Sequence, residues 1–209
     1  VCVDVFDGGE AEPSIEAALR AIEYARSSSP QAILGLGGGS NMDLAKVTAV
    51  VLTHGGVPTD FFGAENVPGP IMPVICVPTT SGTGSEVSHA AVLTDRANEL
   101  KVAMLSNYLR PALAVVDPLL TLSCPAKVTA DSGIDALTHA IEAYTAVDYD
   151  QLEVPPGESS GYEGRYPLGE CIAQRAIELI GNHLSTAVRA PDNAEARQAM
   201  SLAATMAGM

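Results

Sequence analysis

The chain has 209 residues, 47% hydrophobic and 17% charged, a balance that describes a globular protein with a real core and excludes a disordered one. Eleven basic against 25 acidic residues give a net charge of −14, which argues against nucleic acid or an anionic membrane surface as a partner. A phosphorylated cofactor is still admissible, because backbone amides can hold phosphate where Lys and Arg are scarce.

In chain order, Val1-Cys2-Val3-Asp4-Val5-Phe6 predicts a strand over residues 1–6, with a turn at Asp7-Gly8-Gly9. Ser14 then predicts the cap of a helix whose apolar face is Ile15, Ala18, Leu19, Ile22 and Ala25, ending near residues 27–30. A second strand over residues 32–36 runs into Gly37-Gly38-Gly39-Ser40, and a helix follows from about residue 42 to 52. Strand, glycine turn and helix aim backbone N–H groups at a phosphate. The spacing Gly35-x-Gly37-x-x-Ser40 only approximates a dinucleotide fingerprint, and a plain tight connection is the alternative. Asp43 and Lys46 fall on the following helix, where a surface pair is an equal reading.

Residues 71–77 form an apolar run of the kind that parallel sheets bury. It ends in Pro78-Thr79-Thr80-Ser81-Gly82-Thr83-Gly84-Ser85-Glu86, a second small-residue loop, rich in hydroxyls. Loops at the carboxyl ends of parallel strands meet in a ligand crevice, so Ser40 and Thr80 are expected to face one crevice. Residues 90–94 and 101–105 predict a hairpin around residues 95–99, and residues 112–116 predict another strand ending at Asp117-Pro118.

From residue 122 onward the pattern turns helical, which puts a boundary near residues 123–125. Residues 1–123 are then an α/β domain with a parallel sheet, and residues 124–209 a helical domain. The next helix, Asp131 to Tyr144, carries Asp135 and His139 one turn apart on the same face. A carboxylate and an imidazole side by side suit Zn(II) or Fe(II); an exposed surface pair is the alternative. Residues 148–167, rich in Pro, Gly, Ser and Tyr, predict a long loop, and two helices follow over residues 169–188 and 193–206. Cys2, Cys76, Cys124 and Cys171 show no C-x-x-C spacing, which points to a reducing compartment, the cytoplasm. No apolar run reaches membrane-spanning length.

Four motifs now stand in order: Gly37-Gly38-Gly39-Ser40-x-x-Asp43-x-x-Lys46, Thr79 to Glu86, Asp117-Pro118, and Gly133-Ile134-Asp135-Ala136-Leu137-Thr138-His139-Ala140-Ile141-Glu142. Together they resemble the iron-containing alcohol dehydrogenase family. The resemblance implies an α/β dinucleotide-binding domain, a helical domain and an active site in the cleft between them. It further implies that Gly38, Gly39 and Ser40 hold the pyrophosphate of NAD or NADP, that Thr79, Thr80 and Thr83 contact the nucleotide, and that Lys101 reaches a cofactor ribose. Asp135 and His139 match the first two ligands of a divalent metal, Fe(II) or Zn(II), that acts as a Lewis acid toward the substrate. The partners so implied are a small alcohol, aldehyde or hydroxyacid and a second copy or more of the chain.

Three departures accompany the resemblance. The family's two further metal-binding histidines are expected beyond Met209, and its first strand and helix before Val1; His54, His89 and His183 match none of the ligand positions. The loop over residues 148–167 is enlarged, as in the family's hydroxyacid-oxoacid transhydrogenase branch. A non-catalytic nucleotide-binding chain is the remaining alternative, while the dehydroquinate synthase type of lyase on the same fold is disfavoured by the second and fourth motifs.

Overall fold

A computed structural model of the chain describes residues 2–153 and 164–209. In order they form α1 (Ile15–Ser28), β1 (Ile33–Gly37), α2 (Gly39–His54), β2 (Gly63–Ala64), β3 (Val74–Pro78), β4 (Ala90–Asp95), β5 (Leu100–Leu105), β6 (Leu113–Ala114), α3 (Ala126–Thr145), α4 (Pro167–Arg189) and α5 (Ala194–Gly208). The α/β architecture expected from the sequence is the one found. Residues 154–163 of the expected long loop lie outside the described residues.

β1, β3 and β6 form a parallel sheet in the order β1-β3-β6. The register sets Leu34, Ile75 and Leu113 side by side, and Gly35, Cys76 and Ala114 in the next row. Since successive side chains alternate between faces, these rows belong to opposite sides. α2 covers the Gly35 side: a Cβ added at Gly35 would lie 3.0 Å from the Cβ of Ala45 and 3.0 Å from the Cα of Met42. Met42, Ala45, Ala49, Val74 and Cys76 form the core there. Among the described residues nothing covers the other side, where Leu34 is 57% and Leu36 53% exposed. The expectation of a run buried on both faces is therefore corrected: β3 alternates between buried and half-buried residues, and it starts at Val74, after Pro73.

The hairpin of β4 and β5 pairs antiparallel as expected, with β2 added beside β5. Ser14 caps α1, its hydroxyl accepting from the Ala17 amide at 3.1 Å. Ala18, Ala21 and Ile22 of α1 pack with Val47, Val50 and Val51 of α2 and with Leu93 and Met104 of the hairpin. Each large side chain buried this way contributes about 1.5–3 kcal/mol.

Residues 2–6 are not a strand. Among the described residues no strand pairs with them, Val3 and Val5 are exposed, and Phe6 folds back onto the Tyr24 ring at 5.6 Å. The chain meets the hairpin later, where the Thr94 amide donates to the Pro13 carbonyl at 2.8 Å.

α3, α4 and α5 pack around alanines, among them Ala136, Ala140, Ala176, Ala196 and Ala203. Small residues let the backbones approach, and Gly133 of α3 sits against Leu184 of α4 where a side chain would collide. The buried Arg197 staples α5 to the start of α3, donating to Thr129 Oγ1 at 2.8 Å, the Cys124 carbonyl at 3.2 Å and the Pro191 carbonyl at 2.9 Å. With Ala136 and Ala140 turned to this core, Asp135 and His139 are left on the adjoining face of α3.

Candidate functional site

A cavity of about 900 Å3 opens along that face of α3, and Gly39, Ser40, Thr83, Lys101, Asp135 and His139 all line it. Gly38, Thr79 and Thr80 lie beside it and outside its lining.

The glycine turn and the hydroxyl-rich loop meet next to the cavity. Thr79 continues the sheet, its amide donating to the Gly37 carbonyl at 2.9 Å. A Cβ at Gly38 would lie 3.3 Å from Thr80 Oγ1, and one at Gly39 would lie 2.6 Å from Thr83 Cγ2. The two loops therefore meet as the strand order requires, through Gly38 with Thr80 and Gly39 with Thr83, while Ser40 and Thr83 line the cavity and Thr80 does not. α2 begins at Gly39, and Gly38 at its N-cap brings no side chain to bond the first-turn amides. The Asn41 amide donates to the Gly38 carbonyl at 3.1 Å; an extended backbone, no capping side chain and a helix of 16 residues behind it turn the Gly39 and Ser40 amides toward an anion. The geometry fits the pyrophosphate of a dinucleotide.

Asp43 and Lys46 are not a surface pair. Lys46 is 0% exposed, and its ammonium donates to the Ser88 carbonyl at 3.0 Å, Ser88 Oγ at 3.2 Å and the Ala90 carbonyl at 2.8 Å. Those three acceptors use all three N–H donors. Burial nonetheless pushes its pKa down to about 8, against the nearby Asp43 carboxylate. The Asp43 carboxyl accepts from Ser85 Oγ at 2.6 Å and from the Val92 amide at 3.0 Å, and burial raises its pKa. The pair fixes the hydroxyl-rich loop and the start of β4 onto α2.

Lys101 is exposed and donates to Glu12 Oε1 at 2.8 Å, a bond that also holds the Glu12 carboxyl below its ordinary pKa. His89 lines the cavity too, whereas His54 is engaged with the Gly69 carbonyl at 3.1 Å.

His139 Nε2 lies 3.9 Å from Asp135 Oδ1, with the two side chains 37% and 45% exposed toward the cavity. A carboxylate oxygen and an imidazole nitrogen on one helical turn fit two positions of a Zn(II) or Fe(II) site. Among the described residues no group of three His, Cys, Asp or Glu is placed to hold a metal.

Sequence reasoning missed several cavity residues: Glu12, Arg110, Glu142 and Arg165. Arg110 donates to the Val87 carbonyl at 3.1 Å. Arg165 donates through Nε and Nη2 to Asp148 Oδ1, both at 2.7 Å, which raises its pKa. Only the three-dimensional fold brings them here, except Glu142. Its place three residues after His139 on the same helix face was a readable signal.

Comparison with known proteins gives a consistent picture. The profile of the iron-containing alcohol dehydrogenase family matches residues 1–118. The mitochondrial hydroxyacid-oxoacid transhydrogenase of Mus musculus is 36% identical over 220 residues, covering 100% of this chain and 47% of that protein. A 1,3-propanediol oxidoreductase structure superposes with a TM-score of 0.87 at 34% identity, over 98% of this chain and 50% of the other. A sulfoacetaldehyde reductase from Bifidobacterium kashiwanohense, solved in complex with NAD+, superposes with a TM-score of 0.82 at 33% identity, over 99% and 51%. The chain spans about half the length of the curated relatives it matches.

Proposed function

The chain belongs to the iron-containing alcohol dehydrogenase family, and from that membership we propose that the protein is an oxidoreductase. It moves a hydride between NAD or NADP and a small alcohol, aldehyde or hydroxyacid. The observation that carries this reading is the cavity that joins the glycine turn and Thr83 to the Asp135–His139 pair.

The open amides after Gly38, with Gly39 and Ser40, hold the pyrophosphate. Thr79, Thr80 and Thr83 contact the nucleotide from the facing loop, and their hydroxyls bond phosphate or ribose without adding charge. Lys101 exchanges its exposed partner Glu12 for a ribose hydroxyl. Asp135 and His139 hold Fe(II) or Zn(II) together with ligands from elsewhere in the protein. When bound, the nicotinamide accepts or donates the hydride and the metal ion supplies Lewis acidity. The apolar stretch of wall from Ala143, Ala146, Ile172 and Ala173 keeps water away from the reacting carbon.

We place the boundary between nucleotide-binding and helical domains at residues 123/124, a division supported by the separate apolar cores on either side. Among the described residues no helix is long and apolar enough to cross a membrane. The free thiols of Cys2, Cys76, Cys124 and Cys171 support a reducing compartment, the cytoplasm. A homodimer or higher homo-oligomer completes the proposal, and sedimentation velocity tests it.

The test of activity is oxidation of alcohols and hydroxyacids by the full-length protein with NAD+ and with NADP+, before and after metal removal. Failure with both nucleotides and with metal restored would sink the reading. A transhydrogenase variant is supported by the 36% identity to such an enzyme along the whole chain, against 34% to an NAD-dependent methanol dehydrogenase, so the assay decides between them. In a transhydrogenase, deuterium from a hydroxyacid would appear in the product of an added oxoacid, with no free NADH, in dialysed enzyme.

A further inference from the structure

Ser81 and Gly82 have no assigned role, yet they occupy the middle of the loop on which the nucleotide reading rests. Thr80 and Thr83 turn toward Gly38 and Gly39. The two residues between them turn the other way, into the helices. Ser81 Oγ shares a buried hydrogen bond of 3.1 Å with Ser201 Oγ of α5. A Cβ at Gly82 would lie 2.7 Å from Ser132 Cβ and 3.0 Å from both the Cα and carbonyl oxygen of Ser132 in α3. The same loop continues with Glu86, whose buried carboxyl accepts from Thr205 Oγ1 of α5 at 2.7 Å.

We propose that Ser81 and Gly82 are positioning residues that transmit nucleotide occupancy to the helix carrying Asp135 and His139. The inference rests on the nucleotide reading of Thr80 and Thr83. Four consecutive residues serve two walls, so the loop cannot close on a phosphate without pressing on α3 and α5. Ser132 is one helical turn before Asp135, about 4.5 Å along the axis, and α3 is rigid over that span. Close packing leaves no slack to absorb the motion: Gly82 abuts the Cβ, Cα and carbonyl of Ser132 with no flexible side-chain end between them, and interiors of this density move as units. Nucleotide binding thus sets the position of the metal pair, and by reciprocity the metal tightens the nucleotide.

The test uses the full-length protein, Co(II) as the metal and ADP-ribose as a nucleotide that carries the pyrophosphate but no nicotinamide to touch the metal. Saturating ADP-ribose should tighten Co(II) binding, read from its visible absorption, by about tenfold, within the usual range of coupling between sites. In Ser81→Ala and Gly82→Ala the factor should fall below about twofold, while ADP-ribose affinity in the metal-free variants stays within about threefold of native. Ser81→Ala adds no bulk, so it keeps the test open if Gly82→Ala fails to fold. Hydrogen exchange gives a metal-independent readout: ADP-ribose should slow the amides of residues 129–136 and 201–208 in the native protein and not in the variants. Equal coupling in native and variant proteins, or none in the native protein, overturns the inference and leaves the nucleotide site standing. Native protein that binds no ADP-ribose overturns the nucleotide reading itself, and this inference with it.

Discussion

Gly38→Val puts the nucleotide site to its sharpest test. Gly38 has φ −77° and ψ −176°, extended backbone that any residue adopts, so the substitution leaves the fold in place. Its Cβ would sit 3.3 Å from Thr80 Oγ1 and 3.5 Å from Thr80 Cγ2, already tight. The two methyls of valine reach about 1.5 Å further, into the gap between the loops. A phosphate approaching the first-turn amides of α2 needs that gap. Charge-assisted hydrogen bonds contribute about 1.5–3 kcal/mol each. Losing two weakens binding by about 3–6 kcal/mol, or roughly 10²–10⁴-fold in Kd. Calorimetric titration of the full-length variant with NADH, NADPH and ADP-ribose measures this, with circular dichroism confirming the fold. A folded Val variant that binds any of them within threefold of native affinity would refute the reasoning and reduce the glycine turn to a turn.

Asp43→Ala removes two charge-assisted bonds, orphans the Val92 amide and Ser85 hydroxyl, and leaves the buried Lys46 without its neighbouring carboxylate. The expected loss is about 3–5 kcal/mol, a drop in Tm on the order of 10 °C for a chain of this size; a loss under about 1 kcal/mol in urea titration would contradict the buried network. The pH dependence of stability follows from the same cluster. Lys46 titrates at about 8 when folded against 10.5 unfolded, so above pH 8 the unfolded chain binds more protons and stability rises with pH. Cys76, pushed up from 9.0 to about 11 by burial, acts in the opposite sense above pH 9. The urea midpoint should therefore climb between pH 8 and 9 and flatten above, and Lys46→Met should abolish the climb; a native midpoint that falls between pH 8 and 9 excludes it. Asp135→Ala and His139→Ala should each lower the metal content of the full-length protein more than tenfold by elemental analysis, and unchanged stoichiometry would remove the pair from the metal site.

Local rules made much of the fold legible. Ser14 announced α1 because a hydroxyl before an apolar-periodic run is the ordinary way to satisfy first-turn amides, and the hairpin announced itself by two strand runs around a polar turn. The parallel pairing of β1 and β3 followed from the glycine turn after one and the hydroxyl-rich loop after the other, which had to meet at one end of the sheet. Long-range placement was not legible. An acid and a lysine three residues apart on a helix look the same on a surface as in a core. The partners that settle the matter, Ser85 as donor to Asp43 and Ser88 and Ala90 as acceptors from Lys46, are about 42 residues away in sequence. Val3 and Val5 alternate as a strand should, but a strand needs a neighbour, and the sequence alone does not say that none is adjacent. Arg165 and Asp148 are likewise joined across 17 residues of sequence.

The bare side of the β1-β3-β6 sheet has a practical consequence at the bench. Leu34 and Leu113 share a row there and Leu36 stands two residues on along the same face, all more than half exposed, and a contiguous apolar patch of this kind is adhesive. A preparation of the 209-residue chain by itself should bind hydrophobic dyes while fully folded and scatter light increasingly as it is concentrated. Leu34→Lys and Leu113→Glu, which alter neither the α2-covered side nor the cavity, are the changes to make first when such a sample must be kept dispersed.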